Sequence, residues 1–196
     1  WGDYESSING LDSNPFDAAL GNASIVTVSL DTSGLGSATA SASYASTVPL
    51  GSETTDFIEL TLDAANVGEY IDLVFEFDNP VSGLTFSLLD IDLGDGFWRD
   101  RITTFADLGG TPVLASSTTS DPNFITEAVV GNGDEFTADP AVPAVGGVPN
   151  NLTNANVTIT YAAQIDRLVV RYEAAGPDLA LQQIGIASFA SLCVFE

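Results

Sequence analysis

The chain has 196 residues, with four arginines, no lysine, no histidine, no methionine and 27 acidic residues, for a formal net charge of −23. The missing histidine excludes a Ser-His-Asp triad, a Cys-His dyad and an imidazole-ligated metal; the missing lysine excludes Schiff-base chemistry and a P-loop. Nucleic acid and anionic lipid are repelled by such a charge, and neither is expected as a partner.

The chain is 45% hydrophobic and 16% charged, with 11 Phe, five Tyr and two Trp. Disordered acidic chains lack that aromatic and β-branched content, so a folded protein is expected. Its length suits one domain over 1–196. The polar fraction is mostly Ser, Thr, Asn and Gly, as in secreted β-proteins. No apolar run of about 18 residues exists, so no membrane insertion is expected. The first residue is Trp1 rather than Met, as expected of a processed or excised module; an extracellular or cell-surface location is consistent with that.

Residues 1–22 are turn-rich and acidic and read as a loop-like lead-in. From there the apolar period is two. Ala23–Leu30 is the first predicted strand. Gly36–Val48 alternates small and polar residues and reads as a flat edge strand. Asp56–Asp63 places Ile58, Leu60 and Leu62 on one face. Tyr70–Asp78 places Ile71, Leu73, Phe75 and Phe77 on one face and Asp72, Glu76 and Asp78 on the other. Asn79-Pro80 and Ser82-Gly83 read as a turn, with Leu84–Leu89 returning as a hairpin. Further strands are predicted at Arg101–Phe105, Pro112–Ser116, Asn123–Val130, Asn156–Tyr161, Arg167–Glu173 and Gln182–Phe189. Asp134–Asn154 reads as a long excursion rich in Pro, Gly and Asn. About ten short strands without an amphipathic helix indicate an all-β, two-sheet antiparallel sandwich of jelly-roll type.

The densest acidic cluster is Asp90-Ile91-Asp92-Leu93-Gly94-Asp95-Gly96, followed by Asp100. If the strand continues through them, Asp90 and Asp92 share a face and repel unless a cation or proton lies between. Hard oxygen ligands beside a glycine turn suit Ca²⁺, with Asp90, Asp92, Asp95 and Asp100 as the metal set. The spacing is not that of an EF-hand, and the same residues also read as a solvated acidic turn. Trp98 and Arg99 follow at once and offer stacking on a sugar ring or a clamp on a carboxylate. The other reading makes Trp98 a cap on the sandwich end, with Arg99 and Arg101 neutralising nearby Asp. Arg167 and Arg171 share one strand face, opposite Leu168 and Val170. Gln182 and Gln183 point to opposite faces, so one of them faces inward or toward a ligand. The lone Cys193 cannot form an internal disulfide; it is a small buried residue or a link to a neighbouring module. Sequons stand at Asn22, Asn151 and Asn156.

The hairpin phrase FEFDNPVSGLTFSLLDID, the Trp-Arg-Asp loop and QQIGIASF together resemble a β-sandwich module of large secreted and cell-surface bacterial proteins, adhesin-like or anchored. The resemblance spans roughly Asp56 to Phe189. It implies an extracellular jelly-roll-like module, with Asp90 and Asp92 as cation ligands and the Gln182-Gln183 strand alongside.

No catalytic residues stand out, and a two-carboxylate glycosidase lacks any marked acid. The leading expectation is a non-enzymatic structural or adhesive protein, a surface module or a filament or layer subunit stabilised by calcium. Gly36–Val48 would be the edge through which it self-associates or meets neighbouring modules. The alternative is a carbohydrate- or peptide-binding module with a Ca²⁺ site near Trp98. Exposed aromatics would mark it, with Trp98, Phe97, Tyr70 and Tyr44 as candidates.

Overall fold

The computed structural model describes residues 5–11, 16–20, 24–45, 57–92, 99–139, 155–176, 181–190 and 193–194. They form a four-residue helix, α1 (Glu5–Ile8), and the strands β1 (Phe16–Leu20), β2 (Ser24–Asp31), β3 (Thr39–Ala45), β4 (Phe57–Asp63), β5 (Tyr70–Ser82), β6 (Leu84–Leu89), β7 (Asp100–Leu108), β8 (Thr111–Val113), β9 (Ser117–Thr119), β10 (Ile125–Val130), β11 (Gly133–Ala138), β12 (Val157–Tyr161), β13 (Ile165–Ala174), β14 (Gln182–Ala190) and β15 (Cys193–Val194). Two antiparallel sheets result. The larger runs β1-β2-β5-β13-β7-β11-β10, with β15 beside β5 and β8 beside β7; the smaller runs β3-β4-β14-β6-β12-β9.

Alternation explains how the sheets face each other. Ile71, Leu73, Phe75 and Phe77 of β5 and Leu168, Val170 and Tyr172 of β13 point inward from the larger sheet. Ile58, Leu60 and Leu62 of β4 meet them from the smaller one, with Phe86, Ile159, Tyr161, Ile184 and Ile186. Each such side chain contributes about 1.5–3 kcal/mol when fully buried. Phe57, Leu89 and Ala187 form a second, small buried cluster, out of phase with these inward positions of β4, β6 and β14.

Four expectations are corrected. The lead-in is not all loop: it carries α1 and β1, and β1 pairs with β2 from Phe16 opposite Val28 to Leu20 opposite Ser24. Asn79-Pro80 is not a turn. Proline lacks the N–H a regular ladder needs, and these two residues fall where the β5 register slips between the pairs Arg167–Glu76 and Ile165–Val81. The chain then reverses at Gly83 alone, whose φ of 65° is left-handed. It does not close a hairpin there, because β5 belongs to the larger sheet and β6 to the smaller, so Gly83 is a corner between layers. The excursion from Asp134 begins as strand β11, paired with both β7 and β10; residues 140–154 lie outside the described residues.

The expected edge strand is β3, which pairs with β4 at one end of the smaller sheet. The Tyr44 N–H donates to Asn9 Oδ1 at 2.8 Å, so the turn after α1 covers part of this edge. Cys193 lies in β15 opposite Ser82; its side chain lies outside the described residues, as do Asn22 and Asn151.

One polar contact crosses the core. The Tyr161 hydroxyl lies 2.8 Å from Thr104 Oγ1 and donates to Asp134 Oδ2 at 3.4 Å, joining β12 of one sheet to β7 and β11 of the other. Tyr161→Phe leaves these buried partners short of a bond. It is expected to lower stability by about 1–3 kcal/mol, a fall of several degrees in Tm. Thermal unfolding followed by circular dichroism measures this, and an unchanged Tm would mean the cross-core contact contributes nothing.

Candidate functional site

Strand β6 ends at Leu89, and Asp90 follows with a left-handed φ of 64°. Asp90 and Asp92 therefore do not share the face of an extended strand, as the sequence spacing assumed. The segment is held by backbone contacts instead. The Asp90 N–H donates to Asn156 Oδ1 at 3.2 Å, and the Ile91 N–H donates to the Ala155 carbonyl at 2.9 Å. Asp92 and Asp100 clamp each other: the Asp92 N–H donates to Asp100 Oδ2 at 3.0 Å, and the Asp100 N–H donates to the Asp92 carbonyl at 3.1 Å. Asp100 Oδ1 accepts the Tyr172 hydroxyl at 2.7 Å.

All three carboxyl groups are buried, with Asp90 only 3% exposed and Asp100 only 1%. Burial, and then the Asp92 charge, push Asp90 up to about 7. The same two causes hold Asp100 well above the ordinary carboxylate range. Burial and the Asp100 charge raise the Tyr172 phenol. Asp90 Oδ1 has no hydrogen-bond partner among the described residues, nor does either amide atom of buried Gln182. Gln183 is half-buried.

Of the expected metal set, Asp90, Asp92 and Asp100 come to one end of the sandwich; Asp95 and Trp98 lie outside the described residues, as does Phe97. Asp100 spends both oxygens on Tyr172 and Asp92. The arginines turn elsewhere. Arg99 Nε donates to the Ala138 carbonyl at 2.7 Å. Arg101 pairs with Glu173 at 2.7 Å and reaches Glu135 at 3.8 Å. No arginine is among the groups that shift Asp90 or Asp100.

At the same end, Glu69 shows the opposite treatment of a buried carboxylate. It accepts from the N–H groups of Ala65, Asn66 and Gly36 and from Asn66 Nδ2, at 2.7–3.1 Å. These donors, Asn66 foremost, hold it down at about 2.

A second constellation lies on the outer face of the larger sheet. Alternation sends Asp72, Arg167, Arg171 and Phe105 outward where their neighbours turn in. Arg171 makes a two-pronged pair with Asp72, 2.8 Å on each prong, and its guanidinium lies 3.7 Å over the Tyr70 ring and 5.4 Å from the centre of Phe105. Gly34 and Gly133 leave room for the two rings: a Cβ would stand 2.6 Å from Tyr70 and 2.7 Å from Phe105. Arg167 bridges Glu76 at 4.0 Å and Asp107 at 3.7 Å. A depression of about 380 Å³ opens here, with Asp72, Phe105, Asp107, Asn132, Arg167 and Arg171 among its walls. The sequence marked Tyr70, the shared face of the two arginines and the side of its strand on which Asp72 stands; Phe105, Asp107 and Asn132 carried no signal. Tyr44, the other aromatic candidate, packs half-buried against the core.

No family model matches the chain, and no curated protein matches it. Among solved structures it is similar to one described under the structural basis for promiscuous specificity of carbohydrate-binding modules from the β-sandwich superfamily, with 9% identity and a TM-score of 0.43 over 86% of this chain. The chain spans 57% of that structure's length. It is also similar to the enzymatically active domain of bacteriophage CBA120 tailspike protein 4, with 12% identity and a TM-score of 0.32, covering 85% of this chain and 19% of that one. A third is a meso-active thermo-stable cellulase derived from Cel12A of Rhodothermus marinus, with 10% identity and a TM-score of 0.30, covering 93% of this chain and 99% of that one. The likeness is one of β-sandwich architecture.

Because Glu69 is held below its ordinary value, its stabilising contribution is present above about pH 4.5 and drains away as pH falls toward 2. Glu69→Gln is expected to melt below the wild type at pH 7, with the gap shrinking below about pH 4.5 and closing only as the pH falls through about 2. Tm measured across that range checks this, and a constant gap would remove the carboxylate charge as the cause.

Proposed function

We propose that the chain is a non-enzymatic, carbohydrate-binding β-sandwich module of an extracellular protein, with its ligand on the outer face of the larger sheet. The observation that carries this reading is the ordered Tyr70–Arg171–Asp72 stack beside Phe105 in an open depression. Carbohydrate offers apolar ring faces and dense hydroxyls. The matching site is an aromatic or guanidinium plane beside polar groups fixed in advance. Arg171 is fixed by Asp72, and Arg167 stands between two acids, so little ordering entropy remains to be lost on binding. Glycans are largely uncharged, which suits a patch where arginines and carboxylates nearly balance on a chain of −23. Among the described residues no helix is long and apolar enough to cross a membrane. A glycan-binding module is also a direct route to an adhesive role. Self-association through β3 has less support, because the Tyr44 N–H is already bound to Asn9.

A glycan array identifies the ligand class, and titration calorimetry then measures its affinity. Phe105→Ala and Arg167→Ala are each expected to weaken binding roughly tenfold, a loss of about 1.4 kcal/mol. Arg101→Ala, also on the larger sheet but outside the depression, is expected to leave it intact. An array with no bound glycan overturns the reading. Release of reducing ends from bound oligosaccharide would overturn its non-enzymatic part.

A further inference from the structure

Three buried side-chain atoms lack a hydrogen-bond partner among the described residues, namely Asp90 Oδ1, Gln182 Oε1 and Gln182 Nε2. They lie at one end of adjacent strands. Strand β14 pairs with β6 as far as Gly185 opposite Leu89, one residue before Asp90. Gln182 opens β14 in phase with the inward Ile184 and Ile186 and is only 4% exposed. A buried amide with neither atom satisfied costs several kcal/mol on general grounds, and a buried carboxylate oxygen costs more.

Charge adds to the hydrogen-bonding argument at Asp90. Asp90, Asp92 and Asp100 lie within electrostatic reach of one another, and the groups acting on Asp90 and Asp100 include no cation. Glu69, at the same end, shows that the fold supplies four donors where it means to keep a buried carboxylate on its own. A proton does not supply Asp90 Oδ1 with a partner. On Oδ1 it would need an acceptor, and on Oδ2 it would leave Oδ1 still without a donor. A small hard cation takes the two oxygens, Asp90 Oδ1 and Gln182 Oε1, together.

We infer that this end of the sandwich binds one divalent cation of the calcium class, with Asp90 and Asp92 as charged ligands and the Gln182 amide oxygen as a neutral one. Asp100 is a positioning residue. Its oxygens hold Tyr172 and the Asp92 N–H, and so set where Asp92 stands. Neutral oxygens and water would complete the two carboxylates. Calcium accepts about six to eight such oxygens in loose geometry, whereas magnesium demands a near-octahedral set. Gln182 Nε2 then donates to a carboxylate oxygen or to water on the ion. The site is separate from the sheet-face depression, and its test does not depend on a glycan.

The test uses the full chain, stripped with chelator and titrated with calcium chloride, then separately with magnesium chloride. Calorimetry is expected to show one calcium per chain, and Tm is expected to rise by several degrees as the folded state gains a ligand. Asp90→Asn removes a buried charge, so in chelator it should melt at or above the wild-type Tm while losing the response to calcium. Those two results together separate a lost ligand from a damaged fold. Gln182→Leu is expected to keep the fold and weaken calcium roughly tenfold. Asp107→Asn, on the sheet face, should leave the response whole. The inference is overturned if the stripped wild type shows neither heat nor a Tm shift at millimolar calcium. It is overturned equally if Asp90→Asn responds fully, or if magnesium acts as strongly as calcium.

Discussion

Inward commitment of the central strands governs everything else in this molecule. β5 and β13 sit side by side in the larger sheet and send Ile71, Leu73, Phe75, Leu168, Val170 and Tyr172 into a fully buried layer. The period of the strand is fixed at two, so every residue between these faces outward. Asp72, Arg167 and Arg171 point outward because their neighbours are in the core, and Asp72 is buried there beneath its arginine. A one-residue slip would turn three charged side chains into the core and expose the aromatic centre of the sandwich. Chemistry is left with two places, the outer face of a sheet and the ends where strands run out.

Those two places handle charge by different means. On the face, arginine does the work: Arg171 lies between two rings and grips Asp72, and Arg101 and Arg167 each stand between two acids. Exposed pairs of this sort add little stability one at a time. Their effect is to hold planar polar groups in fixed orientation. At the strand ends two buried carboxyl groups stand in contrast. Glu69 is satisfied by backbone donors from its own loop and from Gly36, while buried Asp90 has none for Oδ1 among the described residues. The two carboxyl groups consequently move in opposite directions, Glu69 down to about 2 and Asp90 up to about 7. Burial alone would have raised both; the supply of donors decides.

The sequence carried the strands that alternate and lost what depends on partners far along the chain. The periods of Ala23–Leu30, Asp56–Asp63 and Arg167–Glu173 were legible because each strand shows its own inward face. The Gly83 corner was not, since a tight reversal within one sheet and a crossing to the other use the same residues; only the partners of β5 and β6 distinguish them. β11 was hidden because its inward residues, Asp134, Phe136 and Ala138, include an acid and a small side chain. Of the site residues, the Asp90–Asp100 cluster was visible as local density. Asp72 and Arg171, 99 positions apart, could be joined only by the pairing of β5 with β13.

Strand β13 joins the two places directly. Arg171 and Tyr172 are consecutive, and alternation turns the first outward to Asp72 and Tyr70 and the second inward to Asp100. Strand β7 repeats the arrangement from the other side, beginning at Asp100 in the buried acidic cluster and carrying Phe105 to the sheet face. These two strands are paired along most of their length, from Ala174 opposite Asp100 to Arg167 opposite Asp107. The position of Asp100 thus fixes the start of the same ladder that sets the spacing between Arg171 and Phe105. A sandwich with few cations and a crowded core has little freedom to place a rigid polar surface. Here the rigidity comes from the ladder itself, anchored inside by a buried tyrosine–carboxylate bond and displayed outside as an arginine between two rings.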